Sequence, residues 1–222
     1  MLYRDCCSIK GSFQEPVSVR FSIFFNHSKV MKPMKIRNLV TLFIIPGLLA
    51  ASALYADSVD QAALKAEAVN IVQQFGGSLK PQLKKALMEG GPAHAISVCS
   101  VQAPEIAQNL SQSTGWSVKR VSLKARNTET ATPDAWEMGV LEQFDQRQAN
   151  GESAKKMAYA EVVDGQFRFM KAQGVEDVCL KCHAANIDPE TEKALQEHYA
   201  DDSARGYTLG QIRGAFSLSK PL

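Results

Sequence analysis

The run Cys179-Leu180-Lys181-Cys182-His183 brings two thiols and an imidazole together at C-x-x-C-H spacing. Thiols so placed stand about one helical turn apart. At that separation they can add to the two vinyl groups on one edge of a haem, and the imidazole of the next residue reaches the iron. This is the attachment pattern of c-type haem, so Cys179 and Cys182 are expected to carry a single covalent haem c with His183 as proximal ligand. Two other chemistries use the same thiols. A redox-active dithiol fits poorly, because the motif ends in an immediate histidine and lies late in the chain. A structural zinc site needs two further ligands at comparable spacing, and there is neither a second C-x-x-C nor an H-x-x-x-H.

The other side of the iron has several candidate donors: Cys99, His94, His198, Met88, Met138, Met157 and Met170. His198 lies on a charged helix and His94 follows Gly-Gly-Pro, positions where a histidine is usually solvated. The methionines fall in apolar patterns that read as core. Cys99 is the thiol left over after haem attachment, and a spare cysteine is a liability in an oxidising compartment. By residue type alone it reads either as a small buried hydrophobe or as a sulfur donor, and both readings stay open.

Haem of this type is attached after export, and the N-terminal residues fit export. Lys35-Ile36-Arg37 precedes the apolar run Leu39 to Ala50, and Ala51-Ser52-Ala53 follows. Charged, apolar and small residues in that order read as a secretory signal peptide at 31–56, cleaved after Ala53 or Ala56. The apolar run, interrupted by Pro46 and Gly47, is too short to span a membrane. Residues 1–30 precede the charged stretch, so they read as an upstream extension reached by a mis-called start, with Met31 or Met34 as the alternative. Cys6 and Cys7 then drop out, and the exported protein, periplasmic or otherwise, has no membrane span.

Composition agrees with one soluble domain at 57–222. The full chain has 222 residues, 45% hydrophobic and 22% charged, which excludes collagen-like, disordered and polytopic classes. Its formal charge of +2 becomes −3 once residues 1–53 are removed, which argues against a nucleic-acid partner.

Elements must now position the motif. Leu64, Ala68, Ile71, Val72 and Phe75 recur at helical spacing, and Gly76-Gly77 is expected to end that helix. A short helix around Leu83 and Leu87 should stop at Gly90-Gly91-Pro92, and a third carries Ala95, Ile96 and Cys99. Pro104 is expected to open another, because proline is tolerated in a first turn. Ser117 to Lys124 alternates Val118, Arg120, Ser122 against Lys119, Val121, Leu123, the pattern of a half-buried strand. Thr132-Pro133-Asp134 opens a helix with Trp136, Val140, Leu141 and Phe144. Asp164-Gly165 between two apolar runs predicts a hairpin. Asp188-Pro189 begins a helix reaching about Tyr199, and Ile212 to Ser219 reads as a last strand. The class is α+β: an antiparallel sheet flanked by helices and preceded by N-terminal helices.

Several of these stretches together resemble a known family. They are Ala95-Ile96-Ser97-Val98-Cys99-Ser100, Ala103-Pro104-Glu105-Ile106-Ala107, Arg120-Val121-Ser122-Leu123-Lys124 with Arg126-Asn127, Pro133-Asp134-Ala135-Trp136-Glu137, and Arg213-Gly214-Ala215. In this order, with the haem motif, they are similar to exported c-type haem proteins formerly catalogued as a domain of unknown function. The resemblance runs from about Asp57 to Leu222 and departs at Thr128, where the family often has proline. It implies a PAS-like fold and Cys99 as the iron ligand opposite His183. Arg120, Arg126 and Arg213 are then the cations to consider for the haem propionates, since guanidinium pairs with carboxylate in a bidentate way.

Two function classes follow. A non-enzymatic haem protein passes single electrons, or reports redox state or a small gas ligand to a redox or signalling partner. A haem enzyme with an open iron site acts on peroxide or nitrogen oxides. A filled sixth position favours the first class, so no catalytic residue is expected.

Overall fold

The computed structural model describes residues 50–222, with side chains from residue 61 onward. The expected extension, Cys6, Cys7 and the leader through residue 49 lie outside the described residues. Among those described, no helix is long and apolar enough to cross a membrane.

The chain runs from a long helical segment, α1 (Ala50–Thr114), into β1 (Ser117–Val121), α2 (Thr128–Ala131) and α3 (Ala135–Ala149). The hairpin β2 (Ala158–Val163) and β3 (Gln166–Gly174) follows, then α4 (Leu180–His183), α5 (Pro189–His198) and β4 (Ile212–Pro221). The four strands form one antiparallel sheet in the order β1-β4-β3-β2, so the last strand lies between β1 and β3. The α+β expectation is met.

The helices ahead of the sheet differ from expectation in where they break. Among the described residues, α1 has non-helical backbone at Gly90 and Gly91, where Gly91 takes φ +69° and reverses the chain before Pro92. Gly76-Gly77 does not end the first arm, and Pro104 does not open a new helix. Both corrections have one cause. Ala68, Ile71 and Phe75 of the first arm and Ala103 and Ile106 of the second are buried in a single cluster with Trp116, Val118, Phe167, Phe169 and Leu218. Burying those residues at helical phase outweighs about 1 kcal/mol lost per glycine and the single backbone hydrogen bond Pro104 cannot donate.

Period-two geometry divides the strands between two faces. Val118, Phe167, Phe169 and Leu218 point to α1, whereas Val121, Met170, Ala172 and Ala215 meet Val140, Leu141 and Phe144 of α3. The same alternation sends Arg120 to the α1 side, over the Phe75 ring at 5.2 Å, and Lys119 to the α3 side. α3 starts on a capping box, with the Asp134 carboxylate accepting from Glu137 N and the Glu137 carboxylate from Asp134 N. Asp164 and Gly165 both have positive φ, as a two-residue type I′ hairpin requires.

Glu137 is fully buried, and its carboxylate accepts from Ser217 Oγ at 2.6 Å, Lys119 Nζ at 3.0 Å and Asp134 N at 2.9 Å. Removing it leaves these donors without that acceptor, while Arg168, 3.4 Å from the same carboxylate, keeps Asp134 Oδ2 at 2.6 Å. Glu137→Ala should cost about 3–5 kcal/mol in denaturant unfolding.

Candidate functional site

The Cys179–His183 segment is held by loops, not by the sheet. A 3-10 turn at Asp177–Cys179 leads into α4, with Cys179 N donating to Glu176 O at 2.9 Å. His183 is the last residue of α4 and is buried. The loop 199–211 then wraps around it. Tyr207 N donates to His183 O at 3.0 Å, the Tyr207 ring stands edge-on to the imidazole at 6.2 Å, and His183 Nδ1 lies 2.8 Å from Ala204 O.

That last contact fixes the imidazole's chemistry. A carbonyl can only accept, so Nδ1 carries the hydrogen and Nε2 keeps its lone pair. Burial, followed by the nearby Arg213 and Arg126 cations, pushes the His183 pKa down to about 2, so the ring is neutral. A neutral imidazole oriented through Nδ1–H to a carbonyl is the form that donates to a metal.

Arg126 anchors the motif from the other side. Its Nη2 donates to Cys182 O at 2.5 Å and its Nε to Asp202 at 3.2 Å, with Arg126 16% and Asp202 3% exposed. Asp202 also accepts from Ala204 N and from Arg205 Nε, and Arg205 pairs with Glu192 on α5. The chain of charges thus fixes the loop that fixes His183. Arg126→Ala should lower stability by about 1.5–3 kcal/mol in thermal or denaturant unfolding, because it removes one of the two cations on nearly buried Asp202, which keeps Arg205, and the donor to Cys182 O.

His183, Cys179 and Cys182 face a cleft of about 1670 Å³ beneath α1, which Cys99, Arg120, Arg126, Arg213 and Tyr199 also line. The structure therefore gathers every expected site residue at one place. The other candidate donors lie elsewhere. His94 and His198 are exposed, Met88 and Met138 are exposed, and Met157 and Met170 are packed between sheet and α3. None of these six lines the cleft. Burial raises the Cys99 thiol pKa, partly offset by Arg120, and burial raises that of Cys182 as well, with Cys99 close enough to add to the shift.

The two remaining arginines are the clearest sign of a missing partner. Arg120 is pushed down to about 10 by burial and then by Arg213, and burial lowers Arg213 too. Neither belongs to an ion pair among the described residues, and Arg213 Nε is buried with no hydrogen-bond partner. Two desolvated cations facing one cleft call for an anion. Next to Arg213, Gly214 has φ +155° and an added Cβ would lie 2.4 Å from Val121 O, so this close approach of β4 to β1 requires glycine. The residues present therefore fit a haem: paired thiols, a neutral imidazole with a free Nε2, the Cys99 sulfur in the same cleft and two cations for its carboxylates.

Sequence reasoning missed Ala204, Tyr207 and Tyr199. Their roles depend on how one loop folds back, and no local pattern marks them. Among the described residues no cluster of three or more His, Cys, Asp or Glu is arranged to hold a bare metal ion.

Comparison with known proteins agrees with the fold. No curated protein matches the chain. The crystal structure of the cyanobacterial haem protein Tll0287 is similar, with 24% identity and a TM-score of 0.55 over 70% of this chain and 93% of that one. At that identity the likeness is one of fold. The Tll0287-like family model, described as Tll0287, matches residues 51–221, and the chain belongs to that family.

Proposed function

We propose that the protein is an exported, monohaem c-type cytochrome-like protein. It carries one haem c through Cys179 and Cys182, with His183 and Cys99 as axial ligands, and works in one-electron redox or as a redox or gas sensor for a protein partner. The observation that carries the reading is the shared cleft. A neutral His183 with Nδ1 committed to Ala204 and a half-buried Cys99 both line it, while no other candidate donor does. Family membership and the similar fold of a haem protein support it. The order β1-β4-β3-β2 with helices over the sheet supports the PAS-like reading.

A bound haem supplies a one-electron iron couple whose potential its axial ligands set. The chain's own residues do the rest. Cys179 and Cys182 would hold the group by thioether bonds, Ala204 and Tyr207 orient the imidazole, and Arg126 fixes the backbone between the thiols and the histidine. Arg120 and Arg213 would neutralise its carboxylates, and the two arms of α1 cover the cleft.

The test is the optical spectrum of purified holoprotein, followed by a redox titration with carbon monoxide and nitric oxide. Six-coordinate low-spin ferric iron is the expected resting state. A five-coordinate, high-spin centre would contradict the ligand set and favour a haem enzyme acting on peroxide or nitrogen oxides.

A further inference from the structure

The glycines of the fold divide by what they explain. Gly91, Gly115, Gly151, Gly165, Gly206 and Gly210 have positive φ, and at Gly90, Gly174 and Gly214 an added Cβ would strike protein atoms at 2.8 Å or less. Gly139 is exposed on α3. Gly76 and Gly77 remain, inside a continuous helix where glycine is disfavoured, with nothing within 4 Å of an added Cβ.

Gly77 has a local reason. Pro81 sits four residues on, and a helical proline's ring presses on the carbonyl of residue i−4. Gly77 is also exposed. Gly76 has neither excuse. At about 100° per residue, Val72, Gly76, Leu79, Leu83 and Leu87 fall on one stripe, and all five line the cleft. Gly76 is the gap in an otherwise apolar row. The preceding residue, Phe75, carries the Arg120 guanidinium over its ring at 5.2 Å, and the partnerless Arg213 Nε belongs to the same cleft. A ligand that satisfies bare backbone, leucine side chains and two buried cations is flat, apolar on its face and anionic at its edge.

We propose that Gly76 is the point where the backbone of α1 lies against the face of the bound tetrapyrrole, so that its missing side chain is a specificity determinant of the cleft. This rests on the haem reading above and adds a residue that reading did not use. A side chain at Gly76 then competes with the ligand for the same space, and Gly77 borders the same cleft, whereas one at Ser78, exposed on the opposite face of the helix, does not line it.

The experiment compares wild type, Gly76→Ala, Gly76→Leu and Ser78→Leu, each produced with c-type haem maturation. The readouts are the haem-to-protein absorbance ratio, the ferric spectrum and the thermal midpoint. Gly76→Leu should lose haem several-fold or depart from the wild-type low-spin spectrum, and Gly76→Ala should move the same way by less. Ser78→Leu should keep both. Wild-type loading and spectrum in Gly76→Leu overturn the inference, and where that variant fails to accumulate, the same result in Gly76→Ala does so. A wild-type chain without haem overturns the functional reading itself, which separates the two failures.

Discussion

Replacing both Cys179 and Cys182 with alanine will produce a chain that keeps no haem through a denaturing gel or acid–solvent extraction, while the wild-type chain keeps its haem through both. The effect is all or none because the thioether bonds are the covalent link. His183, its Ala204 contact and the Arg126 clamp remain in the double variant, so the cleft can still bind haem reversibly. Native preparations supplied with haem should therefore show colour that extraction removes. Single variants, with one thioether each, should retain covalent haem with a shifted visible band. Colour that survives extraction in the double variant would mean attachment elsewhere.

Cys99→Ser will raise the reduction potential by on the order of 0.1 V or more, and Cys99→Met will raise it further, within the roughly 0.8 V range that axial ligands span. An anionic sulfur donor stabilises ferric iron more than a hydroxyl or a thioether does, so its removal favours reduction. Cys99 lines the cleft and has Arg120 as a nearby cation, whereas His94, on the same arm of α1, is exposed beside Gly90 and does not line the cleft. His94→Ala should leave spectrum and potential unchanged. A wild-type low-spin spectrum and potential in Cys99→Ser, with a change in His94→Ala, would make Cys99 a packing residue.

What could be read from the sequence was what is decided locally. The C-x-x-C-H spacing is written within five consecutive residues, the Asp134 capping box is decided within one helical turn, and the Asp164-Gly165 hairpin by two backbone angles. Gly76-Gly77 and Pro104 misled because their local preference to break a helix is smaller than the burial on either side of them, and that burial depends on strands that come later in the chain, β3 and β4 among them. The alternation of β1 correctly separated Arg120 from Lys119, but their partners, Phe75 and Glu137, come from different elements. The sequence named Arg126, with Arg120 and Arg213, as a cation to consider for haem propionates. The Arg126 bond to Asp202, 76 residues away, and the Ala204 carbonyl on His183, 21 residues away, arise when the 199–211 loop closes over α4.

The central claim is one covalent haem at Cys179 and Cys182, and the most direct measurement is intact-protein mass spectrometry under denaturing conditions after expression with haem maturation. The account predicts a single species heavier than the processed polypeptide by one haem, with the added mass on the peptide containing Cys179 to His183 after digestion. A polypeptide carrying no added mass, or one whose Cys179 and Cys182 are joined as a disulfide or bound to zinc in the native state, would contradict it.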